Sequence, residues 1–317
     1  MQHYEPEESP ALTREYVESR RTHDASIPAL AGDPKPYGAD PHTPGRGFAL
    51  HILASGSKGN AAVVRLGDTA ILIDCGISKR EFLERCEQVE FDPTTLSAIL
   101  ITHEHGDHTK GLGVVMRALT KMKVHPALYT TDAIYRASKP LHEIEELVSL
   151  HRVDARSDFS VRNVRVMTFP TSHDSVESMG FRFEGVCPNA TEGAETDTLG
   201  YVTDTGFLSD EAQAMLQDCR LLALESNHDS HMLEIGPYPT ALKRRVAGNE
   251  GHLSNDQAAA ALEALLSNRL EQVAGMHLSE TNNLPRYCEA ALAGIIARNT
   301  HPALIWPASQ HRPLTLK

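Results

Sequence analysis

From Phe48 onward the chain alternates short apolar runs with turn residues. "FALHILASGSKGNAAVVRLGDTAILIDCG" reads as three short strands broken at "SGSKGN" and "LGDT". "LSAILIT" follows as a buried strand, and "GLGVVMRALTKMK" carries apolar residues at helical spacing. Further strands are expected at "VRVMTF", "GFRFEG", "LGYVTD", "RLLALES", "EQVAGMHL" and "PALIWP", with helices near 209–217, 239–247, 254–268 and 285–298. Strands dominate the first half and alternate with helices later, which predicts two sheets sandwiched between helices. The polar stretch "GVCPNATEGAETDT", residues 185–198, reads as a hairpin loop between two strands. Residues 1–47 mix charge with proline and glycine and show no sustained apolar period, so a flexible arm is expected there and one folded domain over 48–317.

Composition narrows the class. The chain of 317 residues is 41% hydrophobic, enough for a well-buried core. No window approaches the length of a membrane span, and the N-terminal segment lacks the apolar core of a secretory signal, so a cytoplasmic protein is expected, with no membrane partner. Five scattered cysteines with no C-x-x-C pair argue against a disulfide framework or a zinc ribbon. The net charge of -12 repels polyanions at long range, so a nucleic-acid site has to be a local basic strip or a metal site.

The candidate chemistry is concentrated in "THEHGDHTKG", which falls in a strand-to-helix loop. An H-x-H-x-D-H match has a chance expectation of roughly 0.003 in this composition. A tight loop lets His103 and His105 point one way while Asp107 and His108 fold back the other, offering donors to two adjacent metals. Glu104 alternates away, and Gly106 is expected to permit the bend. Further donors stand at strand ends: His173 in "TFPTSHDS", Asp204 in "YVTDTG" and His277 in "AGMHLSE".

These residues resemble the metal-binding set of metallo-β-lactamase-fold hydrolases, in which the loop is followed by a lone histidine, an aspartate and a final histidine. The resemblance implies a four-layer αββα sandwich of the α+β class, two mixed sheets flanked by helices. It implies two divalent ions, zinc or manganese first and iron as a further option. His103, His105 and His173 would hold one, Asp107, His108 and His277 the other, and Asp204 would bridge. Asp74 in "LIDCG" matches the aspartate that supports the loop from behind; a turn residue ending a strand is the plainer alternative. More narrowly, "SGSKGN", "LIDCG", "ITHEHGDH", "YVTDTG", "LESNHD", "GPYP", "GHLSN" and "HLSETNN" resemble, in order and wording, the YycJ/WalJ-like exonucleases over residues 50 to about 300. The N-terminal arm and the length of 185–198 depart from that pattern.

Two stretches bear on the substrate. In "GHLSNDQAA" Ser254 and Gln257 form a capping box, which places His252 just ahead of a helix N-terminus, where a phosphate oxygen is welcome. His252 is then a phosphate contact or a proton donor to the leaving oxygen, unless it is merely a pre-helix surface residue. Asn282 and Asn283 either cap the helix after "LSETNNLP" or touch substrate. Ser55, Lys58 and Asn60, with Asn227, His228 and Ser254, are further candidates along the substrate rim; the resemblance also makes Glu225 and Asp229 site-wall residues of unassigned role. Asp107, through its metal, and His252 are thus the expected catalytic residues of a metal-dependent phosphodiesterase. DNA is the expected substrate, by 5′-to-3′ exonuclease action, and no obligate protein partner is evident. A small cyclic or nucleotide phosphodiesterase is the nearest alternative, needing the same metals and histidine but no strand-binding surface. Large RNA-processing nucleases insert a domain between the bridging aspartate and the final histidine, an interval of 73 residues here. A degenerate scaffold of this fold would have lost ligands, and all seven positions are filled.

Overall fold

The computed structural model describes residues 47–186 and 195–317. The expected arm lies outside the described residues apart from Gly47, as does the middle of the 185–198 stretch. Among the described residues, fourteen strands form two sheets of seven. The first half of the chain supplies β1 (Ala49–Ala54), β2 (Ala61–Leu66), β3 (Thr69–Ile73), β4 (Leu96–Leu100), β5 (Ala127–Thr130) and β6 (Ser149–Arg152). The second supplies β7 (Asp158–Val161), β8 (Val164–Pro170), β9 (Met179–Gly185), β10 (Asp197–Val202), β11 (Leu221–Glu225), β12 (Gln272–Met276) and β13 (Leu304–Pro307). A last strand, β14 (Leu314–Leu316), returns to the first sheet, whose order is β14-β1-β2-β3-β4-β5-β6; the second runs β13-β12-β11-β10-β9-β8-β7.

Both sheets are mixed. β14, β1, β2 and β3 pair antiparallel and β3 to β6 parallel; β7 to β10 pair antiparallel and β10 to β13 parallel. The sequence explains the parallel halves, since β3 (TAILI) and β11 (LLALE) are buried at every residue, as strands covered on both faces are. The sheets face each other across one core in which Leu50, Ile52 and Ile71 join Phe181, Phe183 and Tyr201. Each such side chain contributes about 1.5–3 kcal/mol by leaving water. Helices Lys79–Gln88 and Leu112–Lys121 pack on the first sheet, and Asp210–Leu216, Asn255–Leu265 and Pro285–Arg298 cover the second over a separate apolar layer, completing the αββα sandwich.

Pattern reading misses β5, β6, β7, β14 and the helix Lys79–Gln88. The burial of β6 (eiee) and β7 (eieB) shows why: these are short, half-wet edge strands with little apolar signal. The helix is polar, but its Ser78/Glu81 capping box is a readable start signal. No helix among the described residues is long and apolar enough to cross a membrane.

One buried histidine of the fold has a testable consequence. His51 on β1 is 4% exposed, its Nδ1 sits 2.9 Å from Thr315 Oγ1 and its Nε2 has no partner. Burial, helped by Arg65 and Lys317, lowers its pKa from 6.5 to about 4. The unfolded chain therefore takes up this proton first. Stability from neutral His51 is complete above about 6.5 and is lost as pH falls toward 4, by roughly 3 kcal/mol at 1.36 kcal/mol per unit. His51→Gln is expected to flatten that part of the urea-midpoint profile between pH 6.5 and 4, and an unchanged acid slope would contradict the assignment.

Candidate active site

Six strands deliver the chemistry at their carboxyl ends, the side on which ligands bind in such sheets. Asp74 follows β3, His103 follows β4, His173 follows β8, Asp204 follows β10, Glu225 ends β11 and His277 follows β12. Asp74, Asp204 and His277 have φ of 56°, 57° and 56°, a left-handed backbone that non-glycine residues rarely adopt and that active sites tolerate.

The histidine loop changes direction part-way along. The backbone is extended at His105 and becomes helical over Gly106–Thr109, so the donors on either side of that change face different ways. Donor atoms of His103, His105 and His173 lie within 4.8 Å of one another, as do those of Asp107, His108 and His277. A third such group joins His103, His108 and Asp204, and a fourth joins Asp204, Glu225, His252 and His277. Asp204 thus faces both sides: its Oδ2 is 3.4 Å from His108 Nε2, and its Oδ1 is 3.8 Å from His173 Nε2 and 3.4 Å from His277 Nδ1. Glu104 belongs to none of the groups; its Oε1 accepts the Val176 backbone N–H at 3.0 Å and pins the loop after His173.

The expectation for Gly106 is corrected. Its φ is not in the left-handed region and a Cβ there would meet nothing within 4 Å, so the bend does not need glycine. The glycine that the loop needs is Gly76, where a Cβ would overlap the carbonyl oxygen of Asp107. The same edge is stitched by Asn60 N–H to Asp107 O and Cys75 N–H to His108 O, each 2.7 Å. Gly76→Ala is expected to displace Asp107 and His108 and to cost roughly 1–3 kcal/mol or more, as overpacking does. Gly106→Ala should stay within about 0.5 kcal/mol of wild type. Paired thermal melts with metal counts check both.

Asp74 stands behind His108. Its Oδ2 is 2.8 Å from His108 Nδ1 and accepts the Thr102 hydroxyl at 2.7 Å, while its Oδ1 accepts the Thr102 N–H at 2.8 Å. Burial works against charge on His108, but Asp204, Asp74 and Asp107 around it prevail and raise its pKa well above 6.5. Burial is likewise overcome at His277, pushed up to about 10 by Asp204, Asp107 and Glu225. His103 goes the other way, lowered by burial and by His108. Buried carboxylates, neutral imidazole and imidazolium are thus crowded together, and His103 Nε2 and His277 Nε2 are buried without a hydrogen-bond partner, His277 Nε2 lying 3.7 Å from Asp107 Oδ2. Divalent ions fit this donor set, because they would engage the orphaned nitrogens and replace protons as counter-charge.

Glu225 is the residue whose role the sequence leaves open. It is fully buried; its Oε1 lies 2.8 Å from His252 Nδ1 and 3.1 Å from His277 Nδ1, and its Oε2 accepts the Thr205 N–H at 2.8 Å. Although burial favours the neutral acid, His252 and His277 hold its pKa down to about 2. A carboxylate closing an apolar run, the kind of signal that singles out Asp204 after "LGYVT", is also present in "LLALES". His252 itself precedes the helix Asn255–Leu265, which Ser254 and Gln257 start with a complete capping box; its side chain is 19% exposed and its Nδ1 is 3.8 Å from Asp204 Oδ1.

The expected rim residues fall in two groups. Ser55, Asn60, Asn227, Ser254 and Asn283 are buried and bonded inside the wall. Ser55 Oγ accepts the His277 N–H at 2.7 Å, Asn60 Nδ2 is 3.0 Å from His108 Nε2, Asn227 Nδ2 donates to His277 O, and Asn283 Nδ2 donates to Ser226 O and Asn227 O. Neither Asn282 nor Asn283 caps the helix Pro285–Arg298, whose N-cap is Leu284 with no side-chain bond. Asn282 and His228 are buried, with Asn282 Oδ1 and Nδ2 and His228 Nδ1 unpartnered. Lys58 is exposed and pairs with Glu280 at 2.7 Å.

A family profile described as the beta-lactamase superfamily domain matches residues 69–278. The chain is 31% identical over 256 residues to exodeoxyribonuclease YycJ of Bacillus anthracis, covering 79% of this chain and 89% of that protein. It is 30% identical over 255 residues to exodeoxyribonuclease WalJ of Streptococcus pneumoniae, covering 80% and 89%. Among solved structures, the metallo-beta-lactamase fold protein YhfI from Bacillus subtilis superposes with a TM-score of 0.61 over 85% of this chain and 99% of that one, at 14% identity, which speaks for the fold alone.

Proposed function

The chain belongs to the beta-lactamase superfamily, as a metal-dependent nuclease or phosphodiesterase close to the YycJ and WalJ proteins, and from that premise we propose that it is a DNA exonuclease acting 5′ to 3′. The observation that carries the reading is the placing of His252, held by Glu225 at 2.8 Å, beside the converged donor groups. A phosphodiester needs both positive charge where the phosphate binds and a proton for the departing alkoxide.

His103, His105 and His173 would hold one divalent ion, Asp107, His108 and His277 a second, with Asp204 between them; the donors suit zinc, manganese or iron. When bound, such a pair of ions neutralises phosphate charge and makes water acidic enough to attack near neutral pH. The chain does the rest. Glu225 accepts from His252 Nδ1, which fixes the ring and leaves Nε2 to give its proton to the leaving oxygen. Asp74 and Thr102 orient His108 from behind, while Ser55, Asn60, Asn227 and Asn283 brace the ligand-bearing loops rather than touch substrate.

Incubating the purified protein with Mn²⁺ or Zn²⁺ and end-labelled duplex DNA, then with bis-p-nitrophenyl phosphate, tests this. Progressive loss of nucleotides from the 5′ end is the expected result. Turnover of the small ester with the DNA left intact would instead identify a small-molecule phosphodiesterase.

A further inference from the structure

Beyond the chemistry at the metal donors, and resting on the nucleic-acid reading above, we infer that helix Thr240–Val246 and Phe207 form the surface that receives a single-stranded polynucleotide end. The helix reads TALKRRV, three consecutive cations with no acidic residue, in a chain of net charge -12. Such a local basic strip is what an acidic protein needs to hold a phosphate backbone. Arg245 is paired with Asp174 and Lys243 donates to the Glu234 carbonyl at 2.6 Å, whereas Arg244 is exposed and has no ion-pair partner among the described residues.

Phe207 is the second observation. It is 44% exposed, unusual for a phenylalanine, and its backbone is held by the Thr205 hydroxyl donating to Phe207 O at 2.6 Å. It stands three residues after Asp204, so its Cα lies within about 11 Å of that of Asp204. An exposed ring so placed offers a base a stacking face without regard to sequence.

The two features and the candidate active site share one rigid rim. His252 N–H donates to Val246 O, the last residue of the basic helix, at 2.9 Å. Ser172 Oγ donates to Asn249 O at 2.8 Å, Asp174 N–H to Glu250 O at 3.0 Å, and Gly206 N–H to Ser172 O at 2.8 Å. Gly206, next to Phe207, packs so closely on Asn249 that a Cβ would overlap the carbonyl there. The loops carrying His173, Asp204 and His252 are therefore fastened to the turn that leaves the basic helix. A strand lying along that helix, with a base on Phe207, would bring its terminal phosphate to the donors.

The test compares wild type with Phe207→Ala and Arg244→Ala, in the metal-loaded full chain, on a labelled single-stranded oligonucleotide and on bis-p-nitrophenyl phosphate. Each substitution should raise KM for the oligonucleotide about tenfold with little change in kcat, and leave the small ester unaffected. Arg244→Ala should also reduce the slope of log KM against log salt by about 0.7. Equal losses on both substrates would overturn the surface, as would wild-type behaviour of both variants on an oligonucleotide that the wild type cleaves; the DNA reading survives those outcomes. A wild type that hydrolyses duplex DNA and the small ester but spares the oligonucleotide overturns the surface alone; one that hydrolyses the small ester and spares duplex DNA as well overturns both.

Discussion

Asp204→Ala is expected to lower turnover by on the order of 10³-fold or more and to cost at least one of two bound metal ions. Even the outer partners of metal ligands are worth about 10–100-fold, and the place proposed for Asp204 is closer than that. It is 2% exposed and faces His108, His173, His252 and His277 at 3.4–3.8 Å. Without it, the imidazoles from both donor groups would face one another with their shared anion gone. Asp204→Asn is the sharper control, since it keeps the shape and the Thr203 contact but removes the charge. Metal content by elemental analysis, read beside turnover, decides the matter: a variant holding two ions with near wild-type rate would refute the bridging role.

What was legible in the chain follows from distance in sequence. The apolar runs of β3, β4, β10, β11 and β12 are short and unbroken, so strand and strand-end donor are read from the same few residues. Contacts made across the fold leave no such trace. Glu225 ends an apolar run and is marked by that, but it finds its role from His252 and His277, 27 and 52 residues away, which nothing in "LESNHD" indicates. Gly106 attracts notice because it lies inside the motif, yet the close approach is at Gly76, where another segment's backbone passes. Ser55 and Asn60 sit in a turn that looks solvent-facing until the packing of β12 and the histidine loop over it is known. The polar turns thus gave the right neighbourhood and the wrong exposure, because burial of a polar residue depends on partners brought in from elsewhere.

His252→Ala should keep both metal ions and lose rate, and the size of the loss should depend on the leaving group. Its ring centroid is 5.1 Å from that of His173 and 5.0 Å from that of His277, near the donors, while its Nδ1 belongs to Glu225. A general acid is worth about 10²–10⁴-fold where a poor leaving group needs its proton. A DNA alkoxide needs one; p-nitrophenolate departs without it. The variant should therefore fall by that factor on DNA and by far less on bis-p-nitrophenyl phosphate. Glu225→Gln should lie between, since it keeps an oxygen for His252 Nδ1 but removes the carboxylate charge, and through His277 it should also weaken metal retention. A merely structural His252 would lose both substrates alike, and a metal-holding one would lose the ions; either outcome removes it from the proton-donor role and leaves Glu225 as a support for His277 alone.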